Sequence, residues 1–354
     1  MKAMKKILFS FAFFLTPFLF CGCHAPYEKN EDKLVVVTTI FPYYDFVREL
    51  KTPDIELHLL ITPGMDSHSY EPTPSDLILL QNADLLIYNG GEAEVWVEEI
   101  LEGIDTSELS TLCMMDYVEL IEEDHGDEED SHHHHAHEHD QEYNHDEEHD
   151  HEEEPDHEEE HDHEATGCKL DHSSGTIYDE HIWTSPKNAI LITEAIKNRL
   201  CEMDESHRKE YEEKFESYRL ELAALDQAFT DTIANAKNNV IVVGDKFPFQ
   251  YFVTHYGLTH YAAFPACSSE VEPSVKTMIT LIDVMNKEHL GTVFYTESTN
   301  NTKVAATICE ETGADSLLLH SCHTVTKQEL ENGVTYLSLM KKNVEALQKG
   351  LNTP

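Results

Sequence analysis

"DESHRKEYEEKFESYRLELAALDQAFTDTIANAK" (204–237) is the stretch on which the fold turns. It contains neither Gly nor Pro, and Tyr211, Phe215, Tyr218, Leu222, Leu225 and Phe229 recur at steps of three and four. That period gathers all six on one helical face, so a single amphipathic helix is expected over the whole stretch. At ~1.5 Å per residue it would reach about 50 Å, more than one small lobe needs and enough to span two.

On its N-terminal side, β-branched and apolar runs alternate with helical segments. "KLVVVTTI" (33–40), "IELHLLI" (55–61) and "DLLIYNG" (84–90) read as strands, and "LSTLCMMDY" (109–117) as extended chain. Helices are expected over 43–50, 74–81 and 93–102, and again from Ser185-Pro186, an N-cap and first helical residue, to Leu200. Beyond the long helix the alternation resumes. Strands are expected at 239–244, 258–264, 291–297 and 315–320, with helices at 247–256, 274–288, 301–312 and 334–349. This is an α/β chain of two lobes, each a mostly parallel sheet flanked by helices, joined by one backbone helix. The boundaries follow: 33–203 for the first lobe, 204–237 for the linker helix and 238–354 for the second lobe. In such sheets ligands bind beyond the carboxyl ends of the strands.

The N-terminus reads as an export signal. Lys2, Lys5 and Lys6 precede an apolar run from Ile7 to Phe20, too short for a membrane span. "LFCGC" follows and resembles the bacterial lipobox, with Phe20 where Leu is usual. The expectation is a signal peptide over 1–22, lipidation at Cys23 and a tether over 23–32.

The formal charge is −45, and about half of it lies in one tract. Residues 122–164 carry 13 His and 23 Asp or Glu, with no Lys or Arg. The tract includes His132, His133, His134, His135, His137 and His139, and is expected to be a disordered loop that collects metal through its imidazoles. "HEEEH" (157–161) matches the H-E-x-x-H pattern of zinc peptidases. That chemistry needs a docked helix, whereas Pro155 and acidic flanks surround this copy and no apolar stripe exists to seat it. So acidic a surface also excludes nucleic acid as a partner.

Two strand-end loops each carry a His. "TPGMDSHSYEPTPSD" (62–76) presents His68 and "DEHIWTSP" (179–186) presents His181. These segments resemble the signatures of zinc and manganese ABC-transporter solute-binding lipoproteins. The resemblance covers about 33 to 350, including the lobe–helix–lobe order and the His-rich insertion between the two motifs. It implies a non-enzymatic, monomeric binding protein, anchored to the membrane from outside, that hands one metal from an inter-lobe cleft to a permease and its ATPase. It implies His68 and His181 as first-lobe ligands and Glu297, in "YTESTNN", as a second-lobe carboxylate. The remaining position departs from the family: "VVGDKFPFQYF" offers Lys246 where His or Glu is usual, and Asp245 beside it is the expected ligand. His255, His260, His320 and His323 stand in reserve. Zinc is preferred over manganese because the tract is rich in imidazole. A surface adhesin or metal-storage role is the alternative, and a zinc hydrolase would need a general base that neither motif supplies.

Six Cys lie beyond the tether region, and none forms a C-x-x-C pair. Cys201 and Cys309 fall in apolar helical patterns and are expected to be buried thiols. Cys267 and Cys322 each follow a second-lobe strand, and a disulfide between them is expected, closing about 55 residues for about 4 kcal/mol.

Overall fold

The computed structural model describes residues 29–65, 67–123, 168, 176–268, 272–297 and 302–353. The first sheet comprises β1 (Leu34–Thr38), β2 (Ile55–Leu59), β3 (Leu85–Tyr88) and β4 (Ser110–Cys113). All pair in parallel, in the order β2-β1-β3-β4. β3 is buried along its whole length, as the unbroken run Leu-Leu-Ile-Tyr requires of a strand covered on both faces. The covering helices are α1 (Phe41–Leu50), α2 (Pro74–Gln81), α3 (Val95–Gly103) and α4 (Pro186–Met203).

The long helix, α5, runs from Arg208 to Ala234. Its buried residues are the six of the expected stripe, Tyr211, Phe215, Tyr218, Leu222, Leu225 and Phe229. It has 27 residues and reaches about 40 Å, shorter than the sequence suggests. It is short by four residues at its start and three at its end. The Asp204 carboxylate accepts bonds from Ser206 Oγ at 2.6 Å and Tyr211 Oη at 2.8 Å, holding Glu205–His207 as a separate 3-10 turn. The middle of α5 packs Tyr218 on Phe46 of the first lobe; its C-terminal part packs Phe229 edge-on against Phe252 of the second.

The second sheet repeats the first. β5 (Val240–Phe247), β6 (Thr259–Pro265), β7 (Thr292–Tyr295) and β8 (Asp315–Leu318) are parallel in the order β6-β5-β7-β8. Around them lie α6 (Gln250–Tyr256), α7 (Val275–Lys287), α8 (Lys303–Thr312), α9 (Lys327–Glu331) and α10 (Tyr336–Gly350). The sequence reading missed α9. It is a five-residue helix held by a capping box between Thr326 and Glu329, too short to show a period.

The lobes share a core. One apolar cluster runs from β1 and β3 through the buried face of α5 to Val243, Phe252 and the inner face of α10. A smaller cluster lies beneath α7 and α8. Polar contacts reinforce the junction: Asp45 of α1 accepts the Tyr336 backbone N–H at 2.6 Å and pairs with Arg48, which also donates to the Val334 carbonyl. Tyr336 Oη donates to the Trp183 carbonyl at 2.7 Å, and Trp183 Nε1 donates to the Ser321 carbonyl at 2.8 Å.

The expected Cys267–Cys322 disulfide is absent; both thiols are free. The strand order explains why. Cys267 follows β6 and Cys322 follows β8, and these are the two edges of the sheet. The strands they follow stand three spacings apart, about 14 Å, whereas a disulfide needs a Cα separation of about 6 Å. The disulfide that forms is Cys113–Cys168, with Cα atoms 5.3 Å apart. It ties residue 168, beyond the His-rich tract, to the end of β4. An antiparallel bridge between Glu122 and Tyr178 brings the flanks of the tract together three residues from His181. Apart from Glu122 and Glu123, the tract lies outside the described residues, as do its H-E-x-x-H string and Cys23.

Candidate metal centre

A small cavity opens between the lobes at the carboxyl ends of the strands. Its lining includes His68, His181, His323, Glu94, Glu180 and Trp183. His68 sits on a 3-10 turn (Ser67–Ser69) in the loop after β2 and is exposed. His181 immediately precedes another 3-10 turn, Ile182–Thr184, and is only 4% exposed. His323 follows β8 and comes from the opposite lobe.

His181 is fixed from several sides. Its backbone N–H donates to Asp179 Oδ1 at 2.8 Å, and its carbonyl accepts from Thr184 Oγ1 at 2.7 Å. The ring packs against Trp183, with centroids 5.4 Å apart. Nδ1 stands 3.4 Å from Asp179 Oδ1. A carboxylate beside one imidazole nitrogen leaves the other for a metal and makes the ring more basic. Burial pulls the His181 pKa down, but Asp179, Glu180 and Glu123 outweigh it and raise the pKa above its ordinary value.

His323 lies 6.0 Å from His181, centroid to centroid, with the rings edge to face. Its Nε2 is 2.9 Å from Ser67 Oγ, the residue before His68. Next to it, Gly64 N–H donates to Thr324 Oγ1 at 2.9 Å. The loop that carries His68 therefore meets the loop that carries His323 directly across the cleft.

Two buried carboxylates complete the wall. Glu94 accepts the N–H groups of Asn89 at 2.6 Å and Gly90 at 3.2 Å, and burial pushes its pKa up to about 7. Glu180 accepts the Ala93 N–H at 2.9 Å, and burial likewise pushes it up to about 7. Gly91 makes room for it. At φ +83° it occupies the left-handed region, and a Cβ there would meet Glu180 Oε1 at 2.6 Å. A divalent cation offsets the cost of ionising such buried carboxylates, so this donor set fits one.

Of the four expected ligands, the cavity gathers His68 and His181. Asp245 and Glu297 are not in its lining. Asp245 lies near the end of β5, 3% exposed, and its Oδ2 accepts Thr296 N–H at 3.2 Å and Thr296 Oγ1 at 2.9 Å. Its Oδ1 accepts the Lys246 N–H at 2.8 Å. Glu297 accepts three bonds: Ser321 N–H at 2.8 Å, Ser321 Oγ at 2.7 Å and Cys322 N–H at 3.0 Å. Burial raises its pKa nonetheless. Glu297 therefore holds the turn that presents His323, including the left-handed Cys322 at φ +58°, an uncommon conformation for a non-glycine residue.

Among the reserve histidines only His323 reaches the cavity lining. His255 pairs with Ser185 Oγ, His260 stacks on Phe247 at 3.9 Å, and the backbone N–H and carbonyl of His320 are bound by Asn343. The signal that could have singled out His323 is its place beyond the carboxyl end of a parallel strand, the criterion that located His68. Glu180 adjoins His181 in the quoted motif; Glu94 has no sequence signal beyond its place after a strand.

Curated proteins resemble the chain over most of its length. It is 26% identical over 349 residues to the zinc-binding lipoprotein AdcA of Streptococcus pneumoniae, covering 98% of this chain and 61% of that protein. It is 29% identical over 327 residues to the high-affinity zinc uptake system protein ZnuA of Bacillus subtilis, covering 92% of this chain and 89% of that one. Thus the chain spans about three fifths of the length of the AdcA relative. Among solved structures, the Zn(II)-bound ZnuA-like domain of Streptococcus pneumoniae AdcA shares the fold with a TM-score of 0.66 at 23% identity, over 91% of this chain and 100% of the domain. The laminin binding protein Lmb of Streptococcus agalactiae, titled a bifunctional protein with adhesin and metal transporting activity, gives a TM-score of 0.68 at 20% identity, over 90% of this chain and all of that one. The model of one family, described as zinc-uptake complex component A, periplasmic, matches residues 36–350, and with the two-lobed fold this places the chain in that family.

Proposed function

We propose that this chain captures Zn2+ outside the cytoplasm, in the cleft between its lobes, and delivers it to an ABC permease driven by an ATPase. The observation that carries this reading is the convergence of His68, His181 and His323, drawn from both lobes, on one small cavity walled by Glu94 and Glu180. Imidazole-rich sets suit zinc far better than manganese, whose preferred donors are carboxylate, carbonyl and water. Zinc relatives among the curated proteins support the same choice.

In this reading Cys23 carries the lipid that holds the protein, as a monomer, at the outer face of the membrane. Asp245 and Glu297 act as scaffold, and His323 takes the second-lobe ligand position. The tract over 122–164 collects zinc near the cleft, since its flanks are joined beside His181. Metal binding needs neutral imidazoles, so capture weakens as the pH falls through about 6 to 7.

The test is zinc stoichiometry in the full chain and in a variant lacking residues 122–164. The variant is expected to keep one tightly bound zinc per chain and lose the weaker equivalents. Loss of every tight equivalent would move the principal site into the tract.

A further inference from the structure

The geometry points to Cys267 as a thiolate ligand at the mouth of the cleft, where with His68 and Glu180 it makes an imidazole–carboxylate–thiolate set for Zn2+ and softer cations. This rests on the zinc-capture reading above and adds to it a sulfur donor that neither sequence motif contains.

Donor atoms of His68, Glu180 and Cys267 all lie within 4.8 Å of one another. The three come from three loops. His68 follows β2, Glu180 precedes the turn into α4, and Cys267 follows β6 of the other lobe. Spacing of that kind is what one cation needs to draw three donors into its coordination shell. Cys267 is free of any disulfide and only partly buried. The set is continuous with the deeper cavity, because His68 and Glu180 line both. In that cavity His181 is a second pointer to a cation. It is 4% exposed, and Asp179 Oδ1 stands 3.4 Å from its Nδ1, the arrangement that leaves the other ring nitrogen for a cation.

A thiolate changes what the cleft selects. Soft sulfur favours Zn2+ and Cd2+ and offers little to Mn2+. It also gives the second lobe a donor besides His323, so the ion would hold the lobes at two points.

The test uses the full chain and its Cys267→Ser variant, each titrated with Co2+ as a spectroscopic stand-in for Zn2+. A thiolate on Co2+ gives an intense near-ultraviolet charge-transfer band, and imidazoles and carboxylates do not. The His-rich tract contains no Cys and cannot produce that band. The first equivalent is expected to raise the band in the parent. Cys267→Ser should lose the band, melt like the parent without metal, and bind its one tight Co2+ roughly tenfold more weakly. Sulfur at about 2.3 Å in X-ray absorption of the parent carrying one zinc is the check that needs no variant. A tight equivalent without the band in the parent, or a band that survives Cys267→Ser, overturns the assignment and leaves cleft capture standing. A tight equivalent that survives His181→Ala lies outside the cleft and overturns the reading beneath it.

Discussion

The two lobes face one cavity with donors of opposite legibility. On the first-lobe side, His68 and His181 stand in short motifs, and each reaches the cavity from its own strand end. On the second-lobe side, the carboxylates at comparable strand ends turn away. Asp245 spends both oxygens on Thr296 and Lys246, and Glu297 accepts three bonds from the turn at 321–322. A buried carboxylate takes whichever N–H or O–H donors surround it, since an unsatisfied one is costly. An imidazole beside a carboxylate keeps one nitrogen for a cation. The lesson is that two acids at comparable strand ends can meet quite different sets of hydrogen-bond donors, which strand position alone does not reveal.

The sharpest way to break this contrast is to compare His181→Ala and His323→Ala with Asp245→Ala in zinc-dependent thermal unfolding. With free zinc at one hundred times Kd the parent gains about 2.7 kcal/mol. Both histidine variants, made without the tract so that its imidazoles cannot substitute, are expected to lose nearly all of it. Asp245→Ala should lower metal-free stability by about 1–3 kcal/mol, because it leaves buried donors unpaired, yet keep most of the zinc gain. A stable Asp245→Ala protein with no zinc response would restore Asp245 as a ligand.

Glu297 sharpens the comparison at an intermediate scale. Its removal leaves three hydrogen-bond donors of the turn that carries His323 without their acceptor. Glu297→Ala is expected to cost about 2–4 kcal/mol of metal-free stability and to weaken zinc indirectly. Glu297→Gln keeps one acceptor oxygen and should recover part of both. Calorimetric titration separates the cases: a direct ligand would be lost equally in the two variants.

The smallest effect lies at the lobe junction, away from the cavity. Asp45 is pushed up to about 6, chiefly by burial, against the opposing pull of Arg48. A raised carboxyl means that the fold favours the protonated form. Its contribution is complete below the ordinary value of about 4 and is lost as the pH rises through about 6. Without metal, the stability of the parent relative to Asp45→Asn should fall between about pH 4 and pH 7, by at most about 3 kcal/mol. A difference that stays flat or rises with pH would mean that the Arg48 pair dominates.

Much of the architecture was legible because its signals are local. The stripe on α5 is read from spacing alone, since only a helix gathers residues three and four apart. The start of α2 at Pro74 and that of α4 at Pro186 follow from a ring that fixes φ and needs no hydrogen bond at a first helical position. The shortened start of α5 was not legible, because it depends on where the Asp204 side chain turns.

By itself, then, the sequence determined the alternation of strands and helices, the two-lobed plan and the two first-lobe histidines, all encoded within segments of a few to some thirty residues. Only the tertiary structure decided which second-lobe groups line the cavity, which cysteines pair and which hydrogen-bond donors each carboxylate meets. Each of those depends on strand order and on donors far away in the chain. Cys267 and Cys322 both follow strands of one sheet, yet the order β6-β5-β7-β8 sends them to opposite edges, and no spacing along the chain records that distance.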